Sequence, residues 1–436
     1  MRHIKRLAWA LINLLSDLGA SRRWPFFTAL AWRLSLVSLP KVEKSKPPQH
    51  RVIILDKPGG TDDIVAAYRG NTSRIGFFLL RREMVKKVFG GFLDGRVANY
   101  NYLSKDPDTE ARKIEYRNYL KKVLGHLDAM WSFSGFISFN IAYMADRELA
   151  TATSELGKSF ILCHKECVKT AIQHRSFSQR YLDRVGPFTG SFISVYNQEE
   201  KESMINGRLA RPEQIKVVGS ARLDFSHGRR GRLGPSRGQK TILYYTIAEN
   251  AGLPIFDGEF LSDERERFEW TDLASRTSSA LFSFARENPD IRIKFKAKLG
   301  NFARSRELLG EDLPENVEFL TGFTGHELLK EVDLVIGFNS TAIFEAVAAG
   351  IQVVVPMLGV RKIPDYSRMV YDIGDPVTLA YSPEEFNSAL LKHLANTKFS
   401  TELSAEEQRL LDRFVGNSDG RSGARLRQFI SDSLSG

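Results

Sequence analysis

The sequence has 436 residues and a mass of 49.3 kDa, which is long enough for two domains of ordinary size. Hydrophobic residues make up 42% and charged residues 26% of it, a globular composition that excludes collagen-like, disordered and multi-span membrane proteins. Because there are only two cysteines, the chain is not a disulfide scaffold, and a reducing cytoplasm is indicated.

The net charge of +10 is concentrated at the start of the chain. Residues 1–51 hold ten basic and two acidic residues, a net charge of +8, which leaves only +2 for all the others. A protein that binds nucleic acid needs a basic face on its folded domain, and this body is nearly neutral. We therefore expect no nucleic-acid partner.

Residues 4–18 predict a basic amphipathic helix in this leader. One arc of the helical wheel is apolar, with Trp9 as an exception on the polar side; the arc consists of Ile4, Leu7, Ala8, Leu11, Ile12, Leu14, Leu15 and Leu18. The stretch is too short to span a bilayer. Residues 1–40 therefore predict either attachment to the anionic inner face of the cytoplasmic membrane or a helix packed on its own domain, and the concentrated charge favours the membrane.

From residue 51 onward, short apolar strands alternate with longer helices, the pattern of doubly wound parallel sheets. The predicted strands are residues 52–55, 75–80, 129–133, 160–163, 192–196, 215–218, 241–246, 291–295, 317–320, 334–336 and 353–355. The predicted helices include residues 139–156, 198–206, 272–286, 325–331, 341–349 and 383–393.

Two breaks in composition divide the chain into domains. Residues 41–50 predict a polar linker after the leader, and the Gly- and Arg-rich residues 226–240 predict a second linker. The prediction is a Rossmann-like acceptor domain over 51–225, a nucleotide-sugar domain over 241–400 and a helical tail over 401–436. In such sheets ligands bind beyond the carboxyl ends of the strands, so we expect the site in a cleft that the two domains face.

The turn after the strand at 334–336 predicts a phosphate site. A helix follows this turn, and Asn339, Ser340 or Thr341 is placed to cap it. Hydroxyls and backbone N–H groups at the positive end of a helix suit a phosphate. Glu345, one turn further on, is placed to reach ribose hydroxyls. Ser and Thr also cap many helices that bind nothing, so the cap alone is a weak signal.

Further donor-side candidates follow two neighbouring predicted strands. Lys296 and Lys298 follow the strand at 291–295 and can offset the charge of a departing diphosphate without a metal. Thr324 predicts the start of another helix directed at the nucleotide. No convincing acidic metal motif is present, because the Asp106-Pro107-Asp108 sequence falls in a polar loop away from any strand end, so we predict neither a metal nor a cofactor.

Candidates for the acceptor side follow strands of the first domain. After the first strand, Asp62 or Asp63 is a possible general base, while the other caps a helix. After the strand at 160–163 come His164, which titrates near neutrality, and Glu166, a carboxylate expected to face the cleft. The predicted catalytic residues are therefore Glu166, Asp62, Asp63 and His164.

Several segments, in this order along the chain, resemble glycosyltransferases of the GT-B fold. They are residues 148–166, 187–202, 215–225, 333–356 and 417–430. Residues 215–225 are similar to a G-x-P-R-x-D element of that group, here Gly219, Ala221, Arg222 and Asp224. More closely, the chain resembles bacterial surface-carbohydrate proteins, of capsule or O-antigen type, that are related to UDP-N-acetylglucosamine 2-epimerases and CDP-glycerol glycerophosphotransferases. It departs from them at Ala221, where proline is usual, and at Lys298, where histidine is usual.

The resemblance implies a GT-B-like fold and a metal-independent glycosyltransferase. Such an enzyme moves a sugar from a nucleotide-sugar donor to a polysaccharide or a lipid-linked glycan, in the cytoplasm at the inner face of the membrane. Three alternatives remain open: a nucleotide-sugar 2-epimerase, a transferase of alditol phosphate from a CDP donor, and a non-catalytic assembly factor. The last is suggested by the lysine at position 298.

Overall fold

The computed structural model describes the chain except residues 1, 41, 43–46, 232–237, 255–269, 298–312, 321–324, 397–399 and 436. The backbone divides into two units. The first consists of Met1–Cys167, Phe177–Arg222 and Arg421–Gly436, and the second of Val168–Ser176 and Leu223–Gly420.

The strands, in chain order, are β1 (Val37–Ser38), β2 (His50–Asp56), β3 (Ile75–Arg81), β4 (Gly135–Ser138), β5 (Ser159–Cys163), β6 (Phe192–Val195), β7 (Ile215–Val217), β8 (Thr241–Tyr245), β9 (Arg292–Lys296), β10 (Val317–Leu320), β11 (Leu334–Ile336), β12 (Gln352–Pro356) and β13 (Thr378–Ala380). The described α-helices are α1 (Arg2–Ser21), α2 (Pro25–Ser35), α3 (Gly60–Tyr68), α4 (Arg82–Leu93), α5 (Pro107–Met130), α6 (Met144–Glu155), α7 (Ala171–Val185), α8 (Gln198–Asn206), α9 (Leu223–His227), α10 (Thr271–Glu287), α11 (Gly325–Leu328), α12 (Ala342–Ala349), α13 (Pro383–Ala395), α14 (Ala405–Val415) and α15 (Ser422–Ser435).

The first unit is built on a seven-stranded sheet in the order β1-β3-β2-β4-β5-β6-β7. All neighbouring strands are parallel except β1 and β3, which are antiparallel. The central strands are almost wholly buried, as expected for a parallel sheet covered by helices on both faces. The predicted parallel sheet of the first domain is confirmed.

The second unit is built on a six-stranded, all-parallel sheet in the order β10-β9-β8-β11-β12-β13. This is the strand order 3-2-1-4-5-6 of the Rossmann fold. One large apolar cluster fills the unit, and β11 and α12 are buried along their whole length. A second α/β unit of Rossmann type is therefore confirmed.

The prediction of a strand over 129–133 is wrong. Helix α5 continues to Met130, because its buried side chains keep a helical spacing as far as Leu127, and the strand follows as β4. Gly135 begins β4, and a side chain there would meet the carbonyl oxygen of Ser159 at 2.2 Å. Glycine at this position lets β4 and β5 approach closely.

The leader forms two helices that pack on the first unit, followed by the unpredicted edge strand β1. The Tyr119 hydroxyl of α5 ties them together, since it donates to the Gly19 carbonyl at 2.7 Å and lies 2.6 Å from the Thr28 hydroxyl. Helix α1 buries Ile12 and Ser16, whereas Leu7, Leu11 and Leu14, on the side of its apolar arc away from Ile12, are exposed. None of the described helices is long and apolar enough to cross a membrane.

The predicted linker and tail differ from the structure. Arg230, inside the predicted linker, is anchored to the second unit, where it donates to the Val347 carbonyl at 2.7 Å and lies 2.5 Å from the Glu407 carboxylate. Helix α14 belongs to the second unit, but α15 belongs to the first, where Phe429 and Ile430 enter the core. The predicted helical tail over 401–436 is therefore divided between the two units.

The closing helix α15 should contribute strongly to the stability of the first unit. Ile430 is fully buried, so Ile430→Ala removes apolar contacts and leaves a cavity, at a cost of about 2–5 kcal/mol in the free energy of unfolding. Ile430→Val, the matched control, should cost only about 0.5–1.5 kcal/mol. Urea unfolding followed by circular dichroism measures both. Equal, small losses for the two variants would show that α15 does not belong to the core.

Candidate functional site

In each sheet the strand order reverses beside the first strand of the Rossmann-like unit. In the second unit the chain runs from β8 outward through β9 and β10, then returns to β11 on the other side of β8. In the first unit the same reversal separates β2 from β4. Loops that leave the carboxyl ends of strands at such a switch point flank a crevice where ligands bind.

The turn between β11 and α12 stands at the switch point of the second sheet. Ser340 Oγ accepts a hydrogen bond from the Ala342 N–H at 3.3 Å, so Ser340 caps the first turn of the helix. Thr341 is the residue before α12, and its side chain makes no capping bond. Both residues are partly exposed, whereas every residue of α12 is buried. Two hydroxyls therefore stand at the positive end of a rigid helix.

Asn339 holds this turn in place. Its amide nitrogen donates to the carbonyls of Ala251 at 3.0 Å and Met369 at 2.8 Å, and its amide oxygen accepts from the Tyr371 N–H at 3.0 Å. Its backbone is left-handed, with φ at 43°. Because both ends of the amide bind backbone groups, Asn339 holds the turn in shape, and its contact with a donor stays a prediction.

Two other donor-side candidates are described near the same edge of the sheet. Glu345 is buried at 9% exposure, and its charge helps to raise the pKa of Tyr245, after the larger effect of burial. Lys296 ends β9, two strand spacings (about 10 Å) from β11. Its ammonium donates to the Ala297 carbonyl at 3.0 Å, and burial lowers its pKa. Lys298 and Thr324 lie outside the described residues.

In the first unit, Asp62 and Asp63 have structural partners. Asp62 accepts from the Gly59 N–H at 2.9 Å and so caps α3. Asp63 is 4% exposed and accepts from the Tyr196 hydroxyl at 2.5 Å and the Arg222 N–H at 2.9 Å. Burial raises the pKa of the Asp63 carboxyl, against the opposing effect of the Arg222 charge. This enclosure argues against Asp63 as an accessible base, whereas Asp62 is half-buried.

His164 and Glu166 follow β5 but have opposite environments. His164 is buried, with its Nε2 3.3 Å from the equally buried carboxylate of Glu200 and its ring stacked on Phe177. Glu166 is exposed and forms an ion pair with Lys165 at 2.7 Å. Of the two, Glu166 is the one placed to meet a substrate.

The structure adds basic residues that the sequence analysis did not assign. Lys57 and Lys165 stand beyond the ends of β2 and β5, and Arg222 reaches back to the Gly59 carbonyl at 3.5 Å. The sequence contained a signal for these residues, because each basic residue directly follows an apolar strand or lies close after one. Since charged residues commonly end strands, the sequence did not show that these three converge.

No protein-family model and no curated protein matches the sequence. Solved structures do match the fold. A histidine variant of the wall teichoic acid polymerase TagF matches at 13% identity and a TM-score of 0.52, over 98% of each chain. The UDP-GlcNAc 2-epimerase of Methanocaldococcus jannaschii matches at 15% identity and 0.50, over 88% of this chain and 99% of its own. MnaA of S. aureus, solved with UDP, matches at 12% identity and 0.50, over 89% and 97%.

These structures share a GT-B-like fold with the present chain, which confirms the predicted fold class. At 12–15% identity the likeness establishes the fold and leaves the reaction to be argued from the residues.

The Asn339 contacts predict a measurable contribution to stability. Asn339→Ala loses three hydrogen bonds and places a methyl-bearing residue in left-handed backbone, so it should lose about 3 kcal/mol of unfolding free energy or more. Asn339→Gly loses the same bonds without the backbone strain and should be about 1 kcal/mol more stable than the alanine variant. Guanidinium unfolding compares the two. Identical midpoints would contradict the strain at this position.

Proposed function

We propose that the protein is a glycosyltransferase that moves a sugar from a nucleotide-activated donor to a cell-surface polysaccharide or lipid-linked glycan. The observation that carries this proposal is the pair of hydroxyls at Ser340 and Thr341, at the start of a buried helix and at the switch point of a Rossmann-ordered sheet. The GT-B-like fold supports it, because the TagF polymerase and the 2-epimerases share that fold.

In this proposal the second unit binds the donor without a metal. The phosphate lies at Ser340 and Thr341, Glu345 binds the ribose, and Lys296 offsets the charge of the departing diphosphate. Lys298 and Thr324 remain predicted donor contacts. Fixed dipoles and cations directed at the leaving group stabilise charge that develops in the transition state. Transfer should therefore persist in the presence of a chelator.

The first unit supplies the acceptor side. Glu166 is exposed and is our first choice as the base that receives the proton of the acceptor hydroxyl, with Asp62 as the second. Asp63 and His164 are buried against Tyr196 and Glu200, so in this proposal they position the loops and do not contact the substrate. Incubation of a nucleotide sugar alone distinguishes the alternative function: a 2-epimerase produces the epimeric nucleotide sugar without any acceptor.

The donor site is tested by removing its hydroxyls. Ser340→Ala combined with Thr341→Val should weaken UDP binding about ten- to a hundred-fold, because at least one charge-assisted contact of roughly 1.5–3 kcal/mol is lost. Isothermal titration of the full chain with UDP, and with other nucleoside diphosphates if UDP does not bind, measures the effect.

A matched control variant is Ser404→Ala, which removes the serine cap of α14 and its hydrogen bond from the Glu407 N–H. It should lower stability by about 1 kcal/mol and leave nucleotide affinity unchanged. If the double variant binds as tightly as the parent while Glu166→Gln abolishes binding, the donor site has been placed in the wrong unit.

We propose further that the leader attaches the enzyme to an anionic bilayer. Two of its faces have different roles: Ile12, Ser16 and Ala20 are buried against the protein, while Leu7, Leu11 and Leu14 are 71%, 53% and 54% exposed. Trp24 and Phe26 add exposed aromatic side chains, and residues 1–40 carry six basic residues and one acidic residue, a net charge of +5. Exposed apolar and aromatic side chains beside basic residues suit the interface of an anionic membrane.

Replacing Leu7, Leu11 and Leu14 together by glutamine should reduce binding to vesicles containing anionic lipid by about 100-fold. Each half-exposed leucine contributes on the order of 1 kcal/mol when it enters the interface. Leu391→Gln, at an equally exposed leucine of the second unit, is the matched control and should bind as the parent does. Vesicle sedimentation at low and high salt measures both effects. Undiminished binding by the triple variant would reject attachment through this face.

A further inference from the structure

The loop after β2, at the switch point of the first sheet, brings basic side chains around two glycines. Gly59 has φ at 82°, and a methyl group on its Cα would lie 3.1 Å from Nη1 of Arg222 and 3.8 Å from Nζ of Lys165. At Gly60 a side chain would overlap the ring of Phe139, with 2.2 Å to Cγ, so this glycine packs against the protein. The cationic groups of Arg222 and Lys165 face Gly59, whose left-handed backbone favours glycine.

Lys57 lies at the start of the same loop. Among the residues that the structure describes, its ammonium group makes neither an ion pair nor a hydrogen bond. Burial lowers the pKa of Lys57, and the positive charges of Lys165, Arg82 and Lys86 lower it further, against a smaller opposing effect of Glu166. Lys57 is thus a half-buried cation in a positive field.

The carboxylates around this loop have partners other than Lys57, and the net effect of its surroundings is still to lower the Lys57 pKa. Asp56, which precedes Lys57, accepts from the Thr61 hydroxyl at 2.9 Å. Glu166 is paired with Lys165 at 2.7 Å, and Asp62 accepts from the Gly59 N–H. Asp63 accepts from Tyr196 and from the Arg222 N–H. Behind the loop, the buried Asp146 is 3.3 Å from Arg82. An anion of the ligand is the missing partner that would stabilise Lys57 in its charged form.

We propose that the loop of Lys57 and Gly59, with Lys165 and Arg222, binds a phosphate or diphosphate group carried by the acceptor. This inference rests on the proposed function, which assigns the diphosphate of the donor to the second unit. Glycines that let backbone approach a ligand, surrounded by lysine and arginine, recur where proteins hold phosphate groups. The acceptor would then be an anionic molecule, and the exposed Glu166 beside Lys165 would lie near its reacting hydroxyl.

The first test uses the full chain and inorganic pyrophosphate. Calorimetry should show that Lys57→Met and Lys165→Met each weaken pyrophosphate binding about tenfold or more, because each removes a charge-assisted contact. Lys122→Met, at an exposed lysine of α5, is the matched control and should bind as the parent does. Circular dichroism shows whether the variants are folded. Folded variants with unchanged affinity, or no pyrophosphate binding by the parent, would overturn the proposal.

A second measurement uses the titration of Lys57. In the parent, affinity should fall as pH rises, and the fall should begin below the ordinary lysine pKa of about 10.4, because the neutral amine binds no anion. Lys57→Arg keeps its charge throughout and should lose less affinity over the same range. Pyrophosphate ionises identically in both experiments, so the ratio of the two affinities isolates Lys57. A ratio independent of pH would show that Lys57 does not contact the anion.

Two further ligands identify the source of the phosphate. Geranyl diphosphate represents a lipid-linked acceptor and glucose 1-phosphate a sugar phosphate, and preferential binding of either through Lys57 supports the proposal. UDP separates this proposal from the donor site. If Lys57→Met weakens UDP and pyrophosphate equally, the loop binds the donor, and the acceptor assignment is wrong. If Ser340→Ala with Thr341→Val binds UDP as tightly as the parent, while Lys57→Met still weakens pyrophosphate binding alone, the donor assignment is wrong and the anion site stands.

Discussion

The reversal of strand order in each parallel sheet determines where a crevice for a polar ligand can form. The connections that follow β8 and β11 leave on opposite faces of their sheet, and so do those that follow β2 and β4. The loops at the ends of these strands therefore diverge and leave a crevice. The strands themselves are apolar and buried, and offer nothing to a polar ligand. Polar groups that a ligand could reach therefore lie in the turns that follow the strands. The hydroxyls of Ser340 and Thr341 occupy one such turn, and Lys57 occupies the other.

Each turn is held by a hydrogen-bonded polar side chain, partly buried at Asn339 and buried at Asp63, that a ligand would not need to touch. In the second unit Asn339 forms hydrogen bonds with three backbone groups. In the first unit Asp63 accepts hydrogen bonds from the Tyr196 hydroxyl and the Arg222 N–H. Buried polar groups with all their hydrogen bonds made give a loop one defined shape, because leaving any of them unpaired is costly. Such residues resemble catalytic ones in the sequence, since both kinds are polar and follow strands.

That ambiguity explains what the sequence could and could not predict. Alternating apolar strands and helices were sufficient for the two parallel sheets, and the capped helix after β11 was placed within one residue. Contacts between residues far apart in the chain were not predictable: Arg230 as an anchor, α15 in the first unit, and the enclosure of Asp63. Gly135 shows the same limit, because its role depends on Ser159, a residue of the next strand.

The leader illustrates why two interpretations of one helix need not compete. An amphipathic pattern shows that one arc is apolar, but it does not show which partner covers that arc. Helix α1 docks through Ile12, Ser16 and Ala20, a face displaced from the centre of its apolar arc. Trp9, on the polar side of the wheel, is covered by the guanidinium of Arg81, 4.2 Å from its ring. Because docking uses this flank, Leu7, Leu11 and Leu14 remain exposed, and packing on the protein is compatible with insertion into a bilayer.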